Sequence, residues 1–248
     1  MGELEGFNKQ NRVCRLFLLD IKMKNQDYID KYRFDTVIIA NTYSDDSGKM
    51  LDGIVSPLKI DNRQTFSPID FQEDSPHCAG YAAANLCESI IWKKTGKLVQ
   101  LDAHQIYAKA KEIDGSPKIE GTYPEHALKA ALGLGVFGDR KYSVRSFSSS
   151  KNKNAISYMK HLVHLHDFLL GGFVIRENWT YCTSSRYVID ESTEKVLGGH
   201  AVCIVGYNKT GVIIANSWSP RWGAKGFAIV SWKAFLKDFL YCSYLVES

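Results

Sequence analysis

The sequence lacks the features that mark membrane, nucleic-acid-binding or secreted proteins. None of its apolar runs reaches the ~18 residues that a membrane-spanning helix requires. Lysine and arginine number 31 against 27 acidic residues, and the net charge of +4 is too small to indicate nucleic-acid binding. The first six residues are acidic, whereas a secretory signal begins with basic residues. We therefore expect no nucleic acid, no membrane and no signal peptide in this chain, and a cytoplasmic location.

Cysteine is scarce as well, and its spacing excludes the common metal and redox motifs. The six cysteines contain no CxxC pair, which zinc sites and redox dithiols use. Cys203 lies in an apolar run, where a small buried side chain is the simplest interpretation. We therefore expect free thiols in a reducing compartment. The six cysteines are Cys14, Cys78, Cys87, Cys182, Cys203 and Cys242.

Four stretches between residues 75 and 170 predict helices. The best defined begins at Ser75, which can cap a helix, with Pro76 in the first helical position. Its last turn holds Lys93 and Lys94 before a terminating Gly96. The predicted helices are 75–96, 102–114, 124–132 and 156–170.

The second half of the sequence predicts strands instead. The apolar run at 201–207 is typical of a strand that is buried on both faces. A serine-rich segment at 143–154 predicts a loop between the two halves. The predicted strands are 173–175, 201–207, 211–216 and 227–232. Helices followed by antiparallel strands indicate an α+β fold with separate layers.

Residues 1–60 form a region of their own in this interpretation. Their alternation of apolar and polar residues, clearest around Phe34 to Ala40, predicts short strands. The region is either a permanent part of the fold, packed on it and regulatory, or a removable or targeting segment. We favour the first alternative, because 34–40 resembles a packed strand.

Cys78 and His200 carry the strongest chemical signals. Cys78 falls at the third position of the first predicted helix, where free backbone N–H groups and the helix dipole favour a thiolate. His200 follows two glycines at the start of a buried strand. A hairpin centred on Asn208, with an odd-numbered loop, would place His200 opposite Asn216 on one face of the sheet. An amide there could orient the imidazole through a hydrogen bond.

These segments together resemble the papain-like cysteine peptidases, particularly bacterial members. The resemblance runs from about residue 61 to 248, with Gln72 six residues before Cys78. The matching motifs are DNRQ at 61–64, EGTYP at 120–124, LGGHAV at 197–202, and NSW at 216–218 followed by WG at 222–223 and GF at 226–227. The family implies a helical lobe at about 61–150 with the nucleophile and a sheet lobe at about 151–248 with the base.

The resemblance also implies roles for individual residues. Cys78 would attack a carbonyl as a thiolate paired with protonated His200, and Asn216 would orient the imidazole. The Gln72 side chain and the Cys78 backbone N–H would stabilise the oxyanion. The substrate would lie along a second set of residues, which comprises Gly121, Thr122, Tyr123, Gly199 and Trp218. Neither a metal nor an organic cofactor is implied.

Departures from the family pattern surround the nucleophile. Ser75 stands where the family has a structural cysteine, so that disulfide cannot form, and Ala79 replaces an aromatic residue. Glu73 and Thr122 stand where glycines are expected. These changes reshape the cleft near the scissile bond, so the substrate range of ordinary papain-like enzymes should not be assumed. A narrow protein substrate would suit an effector better than bulk degradation.

The sequence thus predicts a cysteine endopeptidase that acts on a protein or peptide substrate as a monomer. A bacterial effector or toxin delivered into a target-cell cytosol is one form of this hypothesis, with an inhibitory or immunity protein as its partner. A deamidase or transglutaminase-like enzyme would use the same thioester chemistry. A catalytically silent binding module would keep only the fold, although Gln72, Cys78, His200 and Asn216 are all present.

Overall fold

A mixed sheet forms the centre of the structure, a computed structural model that describes residues 56–148 and 154–248. Within these residues the strands are β1 (Ile60–Asp61), β2 (Tyr142–Ser148), β3 (Leu169–Arg176), β4 (Val188–Ile189), β5 (Val196–Tyr207), β6 (Gly211–Ala215), β7 (Phe227–Ser231) and β8 (Phe239–Glu247). Their order is β2-β8-β3-β5-β6-β7-β4, and β1 pairs with β5. Neighbours run antiparallel except for the short parallel pair of β4 with β7.

Helices cover the sheet, and local capping explains several of their ends. Asp102 begins one helix by accepting hydrogen bonds from the backbone N–H groups of His104 and Gln105. Gly96 ends another in the left-handed conformation, with φ of 71°. The helices of the described residues are α1 (Cys78–Thr95), α2 (Ala103–Asp114), α3 (Pro124–Gly133), α4 (Ala155–His166) and α5 (Trp232–Asp238).

Two apolar cores lie on opposite faces of the sheet. One contains Leu86, Ile106 and Leu128 of α1, α2 and α3, and the other contains Met159 and Phe235 of α4 and α5. Strand β5 contributes to both, because successive side chains of a strand point to opposite faces. Its residues Ala201, Cys203 and Val205 join the first core, and Val202 and Ile204 join the second. The α+β fold class predicted from the sequence is confirmed.

Two helix ends differ from the prediction. Helix α1 begins at Cys78 rather than at Ser75, whose hydroxyl donates to the carbonyl of Gln72 instead of capping the helix. The fourth predicted helix ends at His166, because Asp167 adopts a positive φ of 62° and turns the chain into β3. Cys78 is therefore the first residue of its helix and not the third.

The prediction of a loop at 143–154 is wrong for the first part of this segment. Residues Tyr142–Ser148 form β2, which pairs with β8 along its whole length, from Tyr142 opposite Glu247 to Ser148 opposite Tyr241. Strand β8 itself was not predicted. Trp232, predicted at the end of a strand, begins α5. Backbone pairing with a distant strand outweighs the low strand preference of serine here.

The proposed role of residues 1–60 stays a prediction. The strand expected around 34–40 lies outside the described residues. Ile60 and Asp61 pair with Tyr207 and Gly206 of β5, and the Tyr207 hydroxyl donates to the carbonyl of Pro57 at 2.7 Å. The division into lobes at about residue 150 also stays a prediction.

Candidate active site

His200 and Asn216 are joined by a buried hydrogen bond. The Nε2 of His200 lies 2.7 Å from the Oδ1 of Asn216, and the two residues are 4% and 1% exposed. An amide oxygen can only accept, so Nε2 carries the hydrogen and Nδ1 keeps the lone pair. Nδ1 has no hydrogen-bond partner within the described residues. The amide thus holds the imidazole in the tautomer whose free nitrogen can act as a base.

The hairpin that brings these two residues together differs from the predicted one. Cys203 pairs with Ala215, so the register of β5 and β6 differs by two residues from the one that would place His200 opposite Asn216. Strand β6 also ends before Asn216. The turn is also shorter, because the Asn208 side chain accepts from the backbone N–H groups of Thr210 and Gly211. The predicted odd-numbered loop and direct pairing are therefore wrong.

A bulge keeps the two side chains on one face despite the shorter turn. The pairing of β5 with β6 shifts between Ile204 and Gly206, which leaves Val205 as an extra residue. One extra residue in the strand compensates for one residue fewer in the turn. Beyond β6, the Asn216 backbone N–H donates to the carbonyl of Gly226 at 2.9 Å and fixes the residue beside His200.

Cys78 begins α1 at the point where this helix faces the start of β5. Its thiol lies close enough to the backbone N–H of Ala201, the residue after His200, to hydrogen-bond with it. Burial raises the pKa of the Cys78 thiol above its usual value, although hydrogen bonds from Ala201, Ala79 and Cys78 itself oppose this effect. The sequence predicted a lowered pKa from the helix terminus, and that direction is wrong because desolvation is the larger effect.

The imidazole of His200 responds to the same surroundings. Burial lowers the pKa of His200 to about 4, with the hydrogen bond to Asn216 acting in the opposite direction. Above that pH the ring is neutral. The resting site therefore combines a neutral thiol with a neutral base, and the proton has to move when a substrate is attacked.

Gln72 is anchored to the same segment as Asn216. Its backbone N–H donates to the carbonyl of Ser217, and its Oε1 accepts from the Ser217 hydroxyl at 2.6 Å. Its Nε2 donates to the carbonyl of Ser75 at 2.9 Å. The side chain is 2% exposed. These bonds hold the amide beside the chain that leads into Cys78.

Trp218 packs against the imidazole, and a second tryptophan supports it. The ring centroids of Trp218 and His200 are 4.8 Å apart, and Trp218 also pairs with Phe71 across an isolated bridge. Trp179 lies edge-on to His200 at 6.4 Å, and its carbonyl accepts from the indole N–H of Trp222. No motif surrounds Trp179, so nothing in the sequence marks it as part of this site.

The predicted substrate strip turns sharply at Gly121, whose φ is 83°. Its backbone N–H donates to the Tyr107 hydroxyl at 2.8 Å, and its carbonyl accepts from the Lys111 ammonium at 2.9 Å. Thr122 and Tyr123 are half-buried next to it. Gly199 lies apart from this strip, in β5, where it pairs with Val174 of β3.

The described residues contain no group of three or more His, Cys, Asp or Glu side chains that could hold a metal ion. The cysteines within residues 56–148 and 154–248 are all free thiols. No helix in the same residues is long and apolar enough to cross a membrane.

Cys78 thus begins a helix that contacts the strand of His200, and the imidazole of His200 is hydrogen-bonded to Asn216. The family model "Papain family cysteine protease" matches residues 138–235, which include His200 and Asn216. The gut-specific cysteine proteinase of Caenorhabditis elegans is 24% identical over 186 residues, which are 68% of this chain and 54% of that protein. Mexicain of Jacaratia mexicana is 25% identical over 191 residues, 69% of this chain and 86% of mexicain.

The fold agrees with these sequence matches. The crystal structure of xylellain, a cysteine protease from Xylella fastidiosa, aligns with a TM-score of 0.59 at 16% identity, covering 77% of this chain and 86% of that one. The papain-like fold predicted from the sequence is therefore confirmed. The comparisons likewise confirm that the chain resembles the papain-like cysteine peptidases. It spans about half the length of the nematode proteinase, 54%.

Proposed function

We propose that the protein is a cysteine endopeptidase that hydrolyses peptide bonds through Cys78 and His200. The observation that carries the proposal is the orientation of the imidazole. Nε2 of His200 is committed to Asn216 at 2.7 Å, and Nδ1 is left as a free base on a strand that faces the start of α1. A base with this tautomer is what an attacking thiol requires.

In the proposed reaction Nδ1 of His200 removes the thiol proton as Cys78 attacks the substrate carbonyl. The thiolate–imidazolium pair thus forms during the reaction, since burial raises the pKa of the Cys78 thiol and leaves His200 neutral above a pH of about 4. The imidazolium then gives its proton to the leaving amine, and the acyl group stays on Cys78 until water, deprotonated by His200, releases it.

Gln72 is proposed as the side-chain donor for the oxyanion. An amide nitrogen carries two hydrogens, and Ser75 engages one of them. The second hydrogen, together with the Cys78 backbone N–H, would stabilise the tetrahedral intermediate. Loss of one such donor typically removes ~3–4 kcal/mol of transition-state stabilisation.

We propose a narrow protein substrate rather than general degradation. The hydrogen bonds that Gly121 donates to Tyr107 and accepts from Lys111 support this, because they already use both backbone groups of that residue within the protein. A role as an effector or toxin, delivered into a target cytosol and restrained there by an inhibitory or immunity protein, remains a further proposal. The cysteines of the described residues are free thiols, and free thiols are typical of a reducing cytosol.

The test compares wild type with Cys78→Ala by proteome-wide mapping of new N-termini in a cell lysate. We expect new termini in a small number of proteins with wild type, and a loss of cleavage of roughly 10³-fold or more in the variant. Cys87→Ala, which removes a buried thiol from the same helix, should retain cleavage.

Other outcomes would point to the alternatives. A gain of one dalton at glutamine without new termini would indicate a deamidase, and binding without any modification would indicate a silent module. New termini in hundreds of proteins would contradict the narrow substrate range. For the effector role, we expect host growth to stop when wild type, but not Cys78→Ala, is expressed in the host cytosol, and equal growth would argue against it.

A further inference from the structure

Gly121 is held at both of its backbone groups by side chains from one helix, α2. Its N–H donates to the Tyr107 hydroxyl at 2.8 Å, and its carbonyl accepts from the Lys111 Nζ at 2.9 Å. Tyr107 and Lys111 are one helical turn apart, so both point to the same side of α2. A loop with a positive φ is thereby tied to a rigid element.

Lys111 is itself fixed by a buried ion pair. Its Nζ lies 2.7 Å from Asp114 Oδ2, and the two side chains are 11% and 6% exposed. The other oxygen of Asp114 accepts from the backbone N–H of Ser116 at 2.8 Å. Removing one member would leave a buried charge without its partner, which is far more costly than the loss of a surface pair.

The same helix also contacts the residue before the nucleophile. The ring of Tyr107 stacks on His77, with centroids 3.9 Å apart and an angle of 26° between the planes. The Nδ1 atoms of His77 and His104 are 2.8 Å apart, which ties His77 to α2 a second time. A Cβ added at Gly80 would lie 2.4 Å from the carbonyl of Ala103, so the backbones of α1 and α2 are in close contact here.

We propose that Tyr107, Lys111 and Asp114 are positioning residues that hold the strip at Gly121 at a fixed distance from Cys78. The proposal rests on the peptidase function proposed above and on the substrate-binding role that the family resemblance implies for this strip. Tyr107 is the central member, because its ring contacts the neighbour of the nucleophile and its hydroxyl contacts the strip. Substrate affinity should therefore depend on a hydroxyl that never touches the reacting atoms.

The test uses Tyr107→Phe, which keeps the ring stacked on His77 and removes only the acceptor for Gly121. In the full chain, we expect amide exchange of residues 118–123 to become about tenfold faster, because an amide without its partner exchanges more readily. With a peptide that spans a cleavage site found by the mapping of new N-termini as the substrate, KM should rise about fivefold while kcat and the iodoacetamide labelling rate of Cys78 stay unchanged.

A second pair of variants tests the other side chain that holds Gly121. Lys111→Met should reproduce the KM effect, and Lys109→Met should not, because Lys109 makes an exposed pair with Glu112 at the same spacing on the same helix. An amide exchange rate of residues 118–123 in Tyr107→Phe equal to that of wild type would overturn the proposal. A decrease in kcat with KM unchanged would also overturn it. If the mapping of new N-termini finds no cleavage site, the exchange measurement alone decides, so a failed peptidase proposal remains distinguishable from failed positioning.

Discussion

At the scale of single residues, the thiol and the imidazole owe their resting state to burial. Desolvation raises the pKa of Cys78 and lowers the pKa of His200 to about 4, because burial disfavours the charged form of each group. The start of α1 and the hydrogen bond to Asn216 act in the opposite direction without reversing it. Neutral partners are thus the ground state of this site.

We predict that alkylation of Cys78 in the free protein accelerates with pH. Because only the thiolate reacts and its pKa lies above the usual value, the rate of reaction with iodoacetamide should rise roughly tenfold per pH unit between pH 6 and 8. The measurement is mass-spectrometric labelling at Cys78. A rate that is constant from pH 5 to 8 would instead reveal a preformed thiolate–imidazolium pair.

His200 sets a second pH limit, on catalysis. Its pKa of about 4 means that the imidazole is a free base above that pH and becomes protonated below it. We expect kcat/KM to fall as the pH decreases through about 4, since a protonated ring cannot accept the thiol proton. An acid limb centred near pH 6.5 would contradict the buried, desolvated environment described for this ring.

Motifs in the sequence identified the catalytic candidates but not their electrostatics. Cys78, His200 and Asn216 stand in short segments whose spacing is recognisable in the sequence alone. Burial depends on which distant residues surround a group, so the direction of the Cys78 pKa could not be predicted from its place in a helix. Trp179 and Tyr107 lie in segments with no distinctive pattern, although each contacts the site or its neighbour.

At the scale of elements, β5 connects the parts of the site. It pairs with β3 and β6 along its length and with β1 at its end, and His200 lies opposite Phe173 of β3. The end of β5 approaches β1 very closely at Gly206. A Cβ there would lie 2.3 Å from the carbonyl of Ile60. A side chain therefore cannot be added without displacing a strand.

We predict that Gly206→Ala destabilises the protein by about 1–3 kcal/mol, because backbone that meets an added methyl group must move. Urea unfolding followed by circular dichroism measures the change. Gly133→Ala is the matched control, since an added Cβ at Gly133 has no neighbour within 4 Å among the described residues. It should change the stability by less than about 0.5 kcal/mol. Equal stabilities of the two variants would argue against the pairing of β1 with β5.

Elements with local signals were predictable, and those that depend on distant partners were not. Asp102 and Pro124 mark helix starts by local chemistry, and the structure has helices that begin within one residue of each. Strands β2 and β8 stabilise each other across about a hundred residues of sequence, so neither has a strong signal of its own. The bulge at Val205 likewise depends on the turn at Asn208, which no periodicity reveals.

At the scale of the whole molecule, one sheet lies between the two cores and contributes side chains to both. Trp179 and Trp222 belong to the core beside α4 and α5, and Trp218 and Trp232 pack against it. Leu128 belongs to the other core, beside α1. Because β3, β5 and β8 contribute side chains to both cores, neither core can lose its structure without exposing a face of the shared sheet.

We predict a single cooperative unfolding transition. Leu128→Ala should cost about 2–5 kcal/mol, as is typical of a buried leucine. The midpoint of the unfolding transition should decrease by the same amount whether it is measured by tryptophan fluorescence or by far-ultraviolet circular dichroism. Tryptophan fluorescence reports mainly the opposite core. A fluorescence midpoint that stays at the wild-type value would mean that the cores unfold separately.

The position of β8 has a consequence for how the chain is made. This strand lies between β2 and β3, and it pairs with both through residues 239–247. During synthesis from the amino terminus, β2 and β3 therefore cannot pair with β8 until those residues leave the ribosome. Assembly of the sheet is a late event, and Cys78 leaves the ribosome long before the sheet that holds His200 is complete.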